Sequence, residues 1–113
     1  MKELIERLRE FTRARDWEQF HSPKNLAMAL SVEAAEIMEL FQWLEGSQSR
    51  SLSAEKLQRL REEIGDVQIY LINLADKFGI DPLEAAREKI QINEKKYPAH
   101  LAKGKADKYT EYE

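Results

Sequence analysis

The chain contains no cysteine. A disulfide framework and a thiolate metal site are both excluded. No apolar run approaches the ~20 residues needed to span a bilayer, so no transmembrane helix is expected. The first residues, Met1-Lys2-Glu3-Leu4-Ile5-Glu6-Arg7, read as amphipathic helix and lack the apolar stretch of a signal peptide. The expected compartment is the cytoplasm. Glycine, with 4 residues, and proline, with 3, are scarce and sit mostly at the ends of candidate helices. No segment alternates with the period of a strand, none repeats, and no linker divides the chain. Positive charge is not in excess: 18 Lys and Arg against 21 Asp and Glu leave a net charge of −3. That balance argues against long nucleic acids as partners, because they need a basic surface. It leaves room for a small anion that enters with a divalent cation. Histidine occurs only as His21 and His100.

What remains is an all-α sequence of 113 residues, the length of one domain. Leu4, Ile5, Leu8, Phe11 and Thr12 recur at helical spacing and predict a first helix over 2–15. Trp17 to His21 connects it to a second. Ser22 as cap and Pro23 in the first turn open that helix, which is expected to reach Glu45 before Gly46-Ser47-Gln48-Ser49. A third helix follows Ser53 and runs to about Phe78, with Gly79 as its left-handed cap residue. A fourth opens on Asp81-Pro82-Leu83-Glu84, a candidate capping box, and ends near Lys96. The tail, 99–113, is expected to be extended. The two central helices should pair antiparallel.

The charges on those two helices are unusual in position. In the second, Leu26, Leu30, Ile37, Phe41 and Leu44 form an apolar stripe at 100° per residue. Glu33 falls in its middle and Glu36 at its edge. In the third, Leu60, Ile64, Val67, Leu71, Leu74 and Phe78 form the stripe. Glu63, Asp66, Tyr70 and Asn73 run along one border. A carboxylate on a core face costs several kcal/mol unless it is paired or metal-bound. Antiparallel pairing would set Glu33 and Glu36 opposite Glu63 and Asp66. Four carboxylates without His or Cys make an oxygen-rich set suited to Mg²⁺, Mn²⁺ or Ca²⁺ rather than Zn²⁺. A di-iron bundle would need Glu-x-x-His on two helices, which is absent. The bland alternative is a buried pair with Lys or Arg, but neither shares a stripe with these acids.

On the fourth helix Lys89, Asn93 and Lys96 fall at i, i+4 and i+7 beside Leu83, Ala86, Ile90 and Tyr97. They suit phosphate and sugar oxygens, or simply form a solvated basic face that complements the helix dipole. Trp17, Phe20, His21, Trp43 and Tyr70 could stack a flat ring, or serve as packing. Asn25 lies in the first turn of the second helix, where backbone N–H groups favour an anion.

Trp17-Glu18-Gln19-Phe20-His21-Ser22-Pro23-Lys24-Asn25-Leu26 resembles a segment of dCTP pyrophosphatases. So do Glu33-Ala34-Ala35-Glu36 through Trp43, Glu62-Glu63-Ile64-Gly65-Asp66 through Leu71, and Lys89-Ile90-Gln91-Ile92-Asn93. Lys96-Tyr97-Pro98-Ala99-His100-Leu101 and Lys108-Tyr109-Thr110-Glu111 extend the likeness over nearly the whole chain from Leu8. The wider group is the MazG-like, all-α nucleotide pyrophosphohydrolases. The resemblance implies a four-helix antiparallel bundle over 1–113 that assembles as a dimer or a dimer of dimers. It implies cleavage of a nucleoside triphosphate, dCTP or a related dNTP, between its α and β phosphates. It implies Mg²⁺, with Mn²⁺ as a substitute, on Glu33, Glu36, Glu63 and Asp66. It further implies Trp17, His21, Trp43 and Tyr70 near base and sugar, and Lys89, Asn93, Lys96 and Tyr97 near phosphates and sugar. Leu8 stands where animal dCTP pyrophosphatases carry a His, which loosens a strict dCTP expectation. A broad house-cleaning NTP pyrophosphatase, a phosphoribosyl-ATP pyrophosphohydrolase and a non-enzymatic helical oligomerisation module are the rival readings. The Trp-x-x-Phe-His segment argues against the phosphoribosyl-ATP enzyme.

Overall fold

The computed structural model describes residues 1–104. Lys108 to Glu111, part of the family likeness, lie outside the described residues. Those residues form helices and turns, with no strand among them. The chain divides into two compact units, the first Met1–Ile80, the second from Asp81 onward.

In the first unit, α1 spans Lys2–Ala14, α2 Pro23–Phe41 and α3 Ala54–Asp76. The helix starts follow from their caps. Ser22 Oγ accepts the Asn25 N–H at 3.1 Å and Pro23 occupies the first turn. Ser53 Oγ accepts the Lys56 N–H at 3.2 Å. Helix α1 ends on Asp16, whose φ of 52° is left-handed. Aspartate is among the few residues that tolerate that region. This turn lets the Trp17 N–H donate back to the Thr12 carbonyl at 3.0 Å, which folds the indole over the end of α1. Gly79, at φ 65°, ends α3 in the same manner as expected, and the Ile80 N–H reaches the Ala75 carbonyl at 3.0 Å. Helix α2 stops four residues before its expected end. The Glu45 N–H is taken by Gln48 Oε1 at 2.9 Å, so the helical ladder does not continue there.

Helices α2 and α3 pack along one another, and α1 lies on α3. The core is small: Leu8, Leu26, Leu40 and Ile72, with Thr12 buried among them. One expectation is corrected. Ile64, Leu71 and Phe78 of the anticipated α3 stripe are exposed, whereas Leu60, Val67 and Leu74 are half-buried and Ile72 is fully buried. Apolar residues occupy so wide an arc of α3 that periodicity alone misplaces its inward side. That side carries Glu63, Asp66, Tyr70 and Asn73, all half-buried, together with Leu60, Val67 and Leu74. The acids therefore stand on the packed face itself rather than at its border. Arg9 on α1 clamps Asp76 on α3, with Nε donating to Oδ2 at 2.8 Å and Nη2 to Oδ1 at 2.6 Å. This fork holds the Asp76 carboxyl below its ordinary range, mainly through the hydrogen bond.

In the second unit, α4 spans Pro82–Lys96 and α5 Ala99–Ala102. Asp81 Oδ1 accepts the N–H groups of Leu83 and Glu84 at 2.8 and 3.3 Å. The expected capping box is only half formed, because the Glu84 carboxylate pairs with Arg87. The segment expected to be extended begins with the single helical turn of α5.

Candidate metal centre and adjoining cavity

The α2–α3 pairing brings Glu33, Glu36 and Glu63 together, with one carboxylate oxygen of each within 4.8 Å of the others. All three are half-buried. Glu33 Oε2 and Glu63 Oε2 are buried without a hydrogen-bond partner. Among the described residues no Lys or Arg pairs with any of the three. Three acids sharing a desolvated space with orphaned oxygens is a costly arrangement, and a divalent cation is what such a donor set accommodates. The residues thus fit a hard, oxygen-seeking metal. Asp66 is outside this trio, yet its charge acts on both Glu33 and Glu63.

The proton affinities report the same crowding. The Glu33 carboxyl is pushed from its ordinary 4.5 up to about 7. Burial is the largest cause, followed by the close approach of the Glu63 and Glu36 carboxyls and the charges of Glu36 and Asp66. Glu63 is raised as well, again first by burial and then by Glu36. A carboxyl raised by folding holds its proton more tightly in the folded chain than in the unfolded one. Below about 4.5 both states are protonated and the cluster costs little; stability then falls with rising pH until Glu33 ionises near 7. Metal-free protein should therefore melt at a higher temperature at about pH 5.5 than at about pH 8. Mg²⁺ should raise the melting temperature at the higher pH and have little effect at the lower, because protons compete for the same oxygens. Scanning calorimetry at both pH values, in chelator and in Mg²⁺, checks this; equal Mg²⁺ shifts would contradict it.

Next to the acids lies a cavity of about 230 Å³. Leu8, Phe11 and Ile69 make its apolar lining, and Trp17 and Tyr70 add aromatic rings. Thr12, His21, Asn73 and Asp66 are its polar residues. Asp66 thus borders both the cavity and the acidic trio. Phe11 and Trp17 meet edge to face with ring centroids 5.7 Å apart, and Arg15 Cζ sits 3.7 Å from the Phe11 centroid. Arg15 Nη1 also donates to the Phe11 carbonyl, which pins that ring. His21 is held below its ordinary pKa, chiefly by burial and then by the Lys77 charge, so its imidazole is neutral near pH 7.

Of the residues singled out in the sequence, Trp17, His21, Tyr70 and Asp66 line this cavity. Asn25 does not. Its amide donates to the Phe20 carbonyl at 3.0 Å and its N–H to Ser22, so it braces the turn before α2. Trp43 lies past the end of α2 and is 87% exposed. Lys89, Asn93 and Lys96 are on α4 and Tyr97 is its cap, all in the second unit. Leu8, Phe11, Thr12 and Asn73 were legible only as packing or border positions, and Ile69 was not singled out. Thr12, a polar residue on the apolar face of α1, was the signal for this wall.

In the comparison with known families, the model of the MazG-like family aligns with residues 28–112. The chain belongs to the MazG-like family. Among similar MazG-like and related proteins, dCTP pyrophosphatase 1 of Homo sapiens is 46% identical over 104 residues, 90% of this chain. The Rattus norvegicus protein of the same name is 44% identical over the same length. The chain spans 61% of the length of either relative. The crystal structure of a pyrophosphatase from Archaeoglobus fulgidus is also similar, with a TM-score of 0.76 and 46% identity over 87% of this chain and 92% of that one. No helix among the described residues of this MazG-like chain is long and apolar enough to cross a membrane.

Proposed function

We propose that this MazG-like protein hydrolyses nucleoside triphosphates, dCTP or related dNTPs, to the monophosphate and pyrophosphate with the help of Mg²⁺. The observation that carries the reading is the trio Glu33, Glu36 and Glu63, with its orphaned oxygens, directly beside an aromatic cavity. Acids that suit a cation would take the triphosphate with it, and the rings of the adjoining cavity would take the base. The names of the human, rat and archaeal relatives agree with it.

Glu33, Glu36 and Glu63 would hold the Mg²⁺ or Mn²⁺, with Asp66 completing the acidic set. When bound, the cation supplies charge neutralisation and polarisation of phosphoryl oxygens. Trp17, Phe11 and Tyr70 present rings against which a base can stack. Glu36 or Glu39 orients a water as general base for attack on the α-phosphorus. The bond from that phosphorus to the bridging oxygen breaks, and pyrophosphate leaves with the electron pair. The phosphate and sugar roles of Lys89, Asn93, Lys96 and Tyr97, and the base contact of Trp43, rest on the likeness of the sequence alone. The cytoplasm, where nucleoside triphosphates are available, is the compartment this reading takes.

The same reading includes a homodimer or homotetramer. Leu57, Ile64 and Leu71 recur every seven residues on α3, Phe78 follows at the same spacing just past its end, and all are exposed. Met28 and Val32 on α2 are exposed as well. Among the described residues the apolar core of four side chains is thin for a lone chain, and a second copy is the occupant that would cover such a stripe.

The test is incubation with each dNTP and rNTP, with and without Mg²⁺, and separation of products by ion exchange. Monophosphate plus pyrophosphate, abolished by chelation, is expected. Diphosphate plus orthophosphate would refute cleavage between the α and β phosphates. No turnover by folded protein would favour the helical oligomerisation module.

A further inference from the structure

The polar side of the cavity has an uncommon chemistry. Thr12, His21 and Asn73 stand on it, and each can either donate or accept a hydrogen bond. A hydroxyl rotates, a neutral imidazole chooses its tautomer, and an amide exchanges its oxygen and nitrogen by a half-turn. Such groups read polarity only when the protein locks them. Here nothing does: among the described residues none of the three side chains makes a hydrogen bond to another protein group. Thr12 is nonetheless 7% exposed, and Asn73 and His21 are half-buried. Their polar atoms are not among the buried ones that lack a partner, which are Glu33 Oε2 and Glu63 Oε2, so they are open to a group that enters the cavity. The only charged member of the lining is Asp66, on the side of the acidic trio.

From this we infer that Asn73, with Thr12, determines base specificity by demanding a hydrogen-bonding edge while accepting either polarity, so that amino and oxo pyrimidines are both taken. The inference rests on the nucleotide pyrophosphohydrolase reading and deepens it. A cytosine edge offers a donating amino group beside an accepting ring nitrogen; a uracil edge offers the reverse. An unlocked amide meets both by turning over. A locked amide would meet one and leave the other unpaired, which is how polar sites reject wrong substrates.

The experiment compares kcat/KM for dCTP, dUTP and the triphosphate of a difluorotoluene deoxynucleoside, a thymine-shaped ring without a hydrogen-bonding edge. Wild type should handle dCTP and dUTP within about 10-fold of each other and the apolar isostere about 100-fold less well. Asn73→Leu should lower both natural substrates by roughly 10-fold or more, through KM, and so narrow their gap to the isostere. Thr12→Val, which keeps the shape, makes the same comparison if Asn73→Leu does not fold. A preference for either natural base beyond about 100-fold would overturn the inference and leave the enzymatic reading standing. Equal losses on all three substrates would also overturn it, since they would mark a structural role at the smaller cavity that Asn73 and Thr12 share with Arg9 and Asp76. Absence of turnover on every nucleotide would remove the enzymatic reading and this inference with it.

Discussion

Glu33→Gln should abolish Mg²⁺-dependent activity and at the same time raise the melting temperature of the metal-free protein near pH 8. The two effects share one cause. Glu33 is the acid most resistant to ionisation, raised to about 7 by burial and by its acidic neighbours. Glutamine keeps the volume and removes the charge, so the repulsion within the trio falls and the apo fold gains. The same change removes a ligand oxygen from a set of three. Losing several kcal/mol of charge stabilisation in the transition state corresponds to about 10³-fold in rate. Glu63→Gln should behave alike, because its Oε2 is the other orphaned oxygen. Calorimetry in chelator and the pyrophosphate assay, run on the same preparations, check both halves. A variant that loses activity and also stability would mark Glu33 as a structural acid rather than a metal ligand. Full turnover would refute the metal assignment outright.

Sequence reasoning reached the acidic trio because charge on a packed face is an exception that helical periodicity exposes. Ser22 and Asp81 were legible for a similar reason: a cap needs only local chemistry, and each accepts a first-turn N–H; Ser53, read only as the residue before α3, caps that helix as well. The inward side of α3 was not legible to the same degree. Leu57, Ile64, Leu71 and Phe78 are as apolar as the residues that face α2, and periodicity cannot tell a core face from one left exposed in a single chain. Ile72 was missed on that account. The cavity wall was missed because it joins α1 to α3 across more than fifty residues. Thr12 and Asn73 meet only after Asp16 turns the chain and Arg9 grips Asp76, and neither contact has a sequence signature. Asn25 was read for its place at a helix start, and the bond its amide donates to the Phe20 carbonyl has no signature in the sequence.

Leu26→Ala should be the most damaging single truncation in the chain. Leu26 is 1% exposed and Ile72 2%, and these two are the largest fully buried side chains. Removing a buried leucine to alanine costs about 2–5 kcal/mol, the larger values where the cavity cannot collapse. Helix α2 is capped at Ser22 and braced by Asn25, so its first turns have little freedom to close over a void. A domain of this length has total stability of only about 5–15 kcal/mol, and an apolar core of four side chains among the described residues places this one toward the lower end. The variant should lose most of its cooperative melting at low protein concentration. If the α3 stripe is covered by a second copy, raising the concentration should restore part of that transition through mass action. Leu57→Ala, at an exposed position of the stripe, should then shift the concentration dependence far more than the limiting stability at high concentration. Circular dichroism melts over a wide concentration range separate the two variants. A Leu26→Ala protein with an unchanged melting temperature would mean that the α2–α3 pairing draws its strength from the exposed stripe and not from the core.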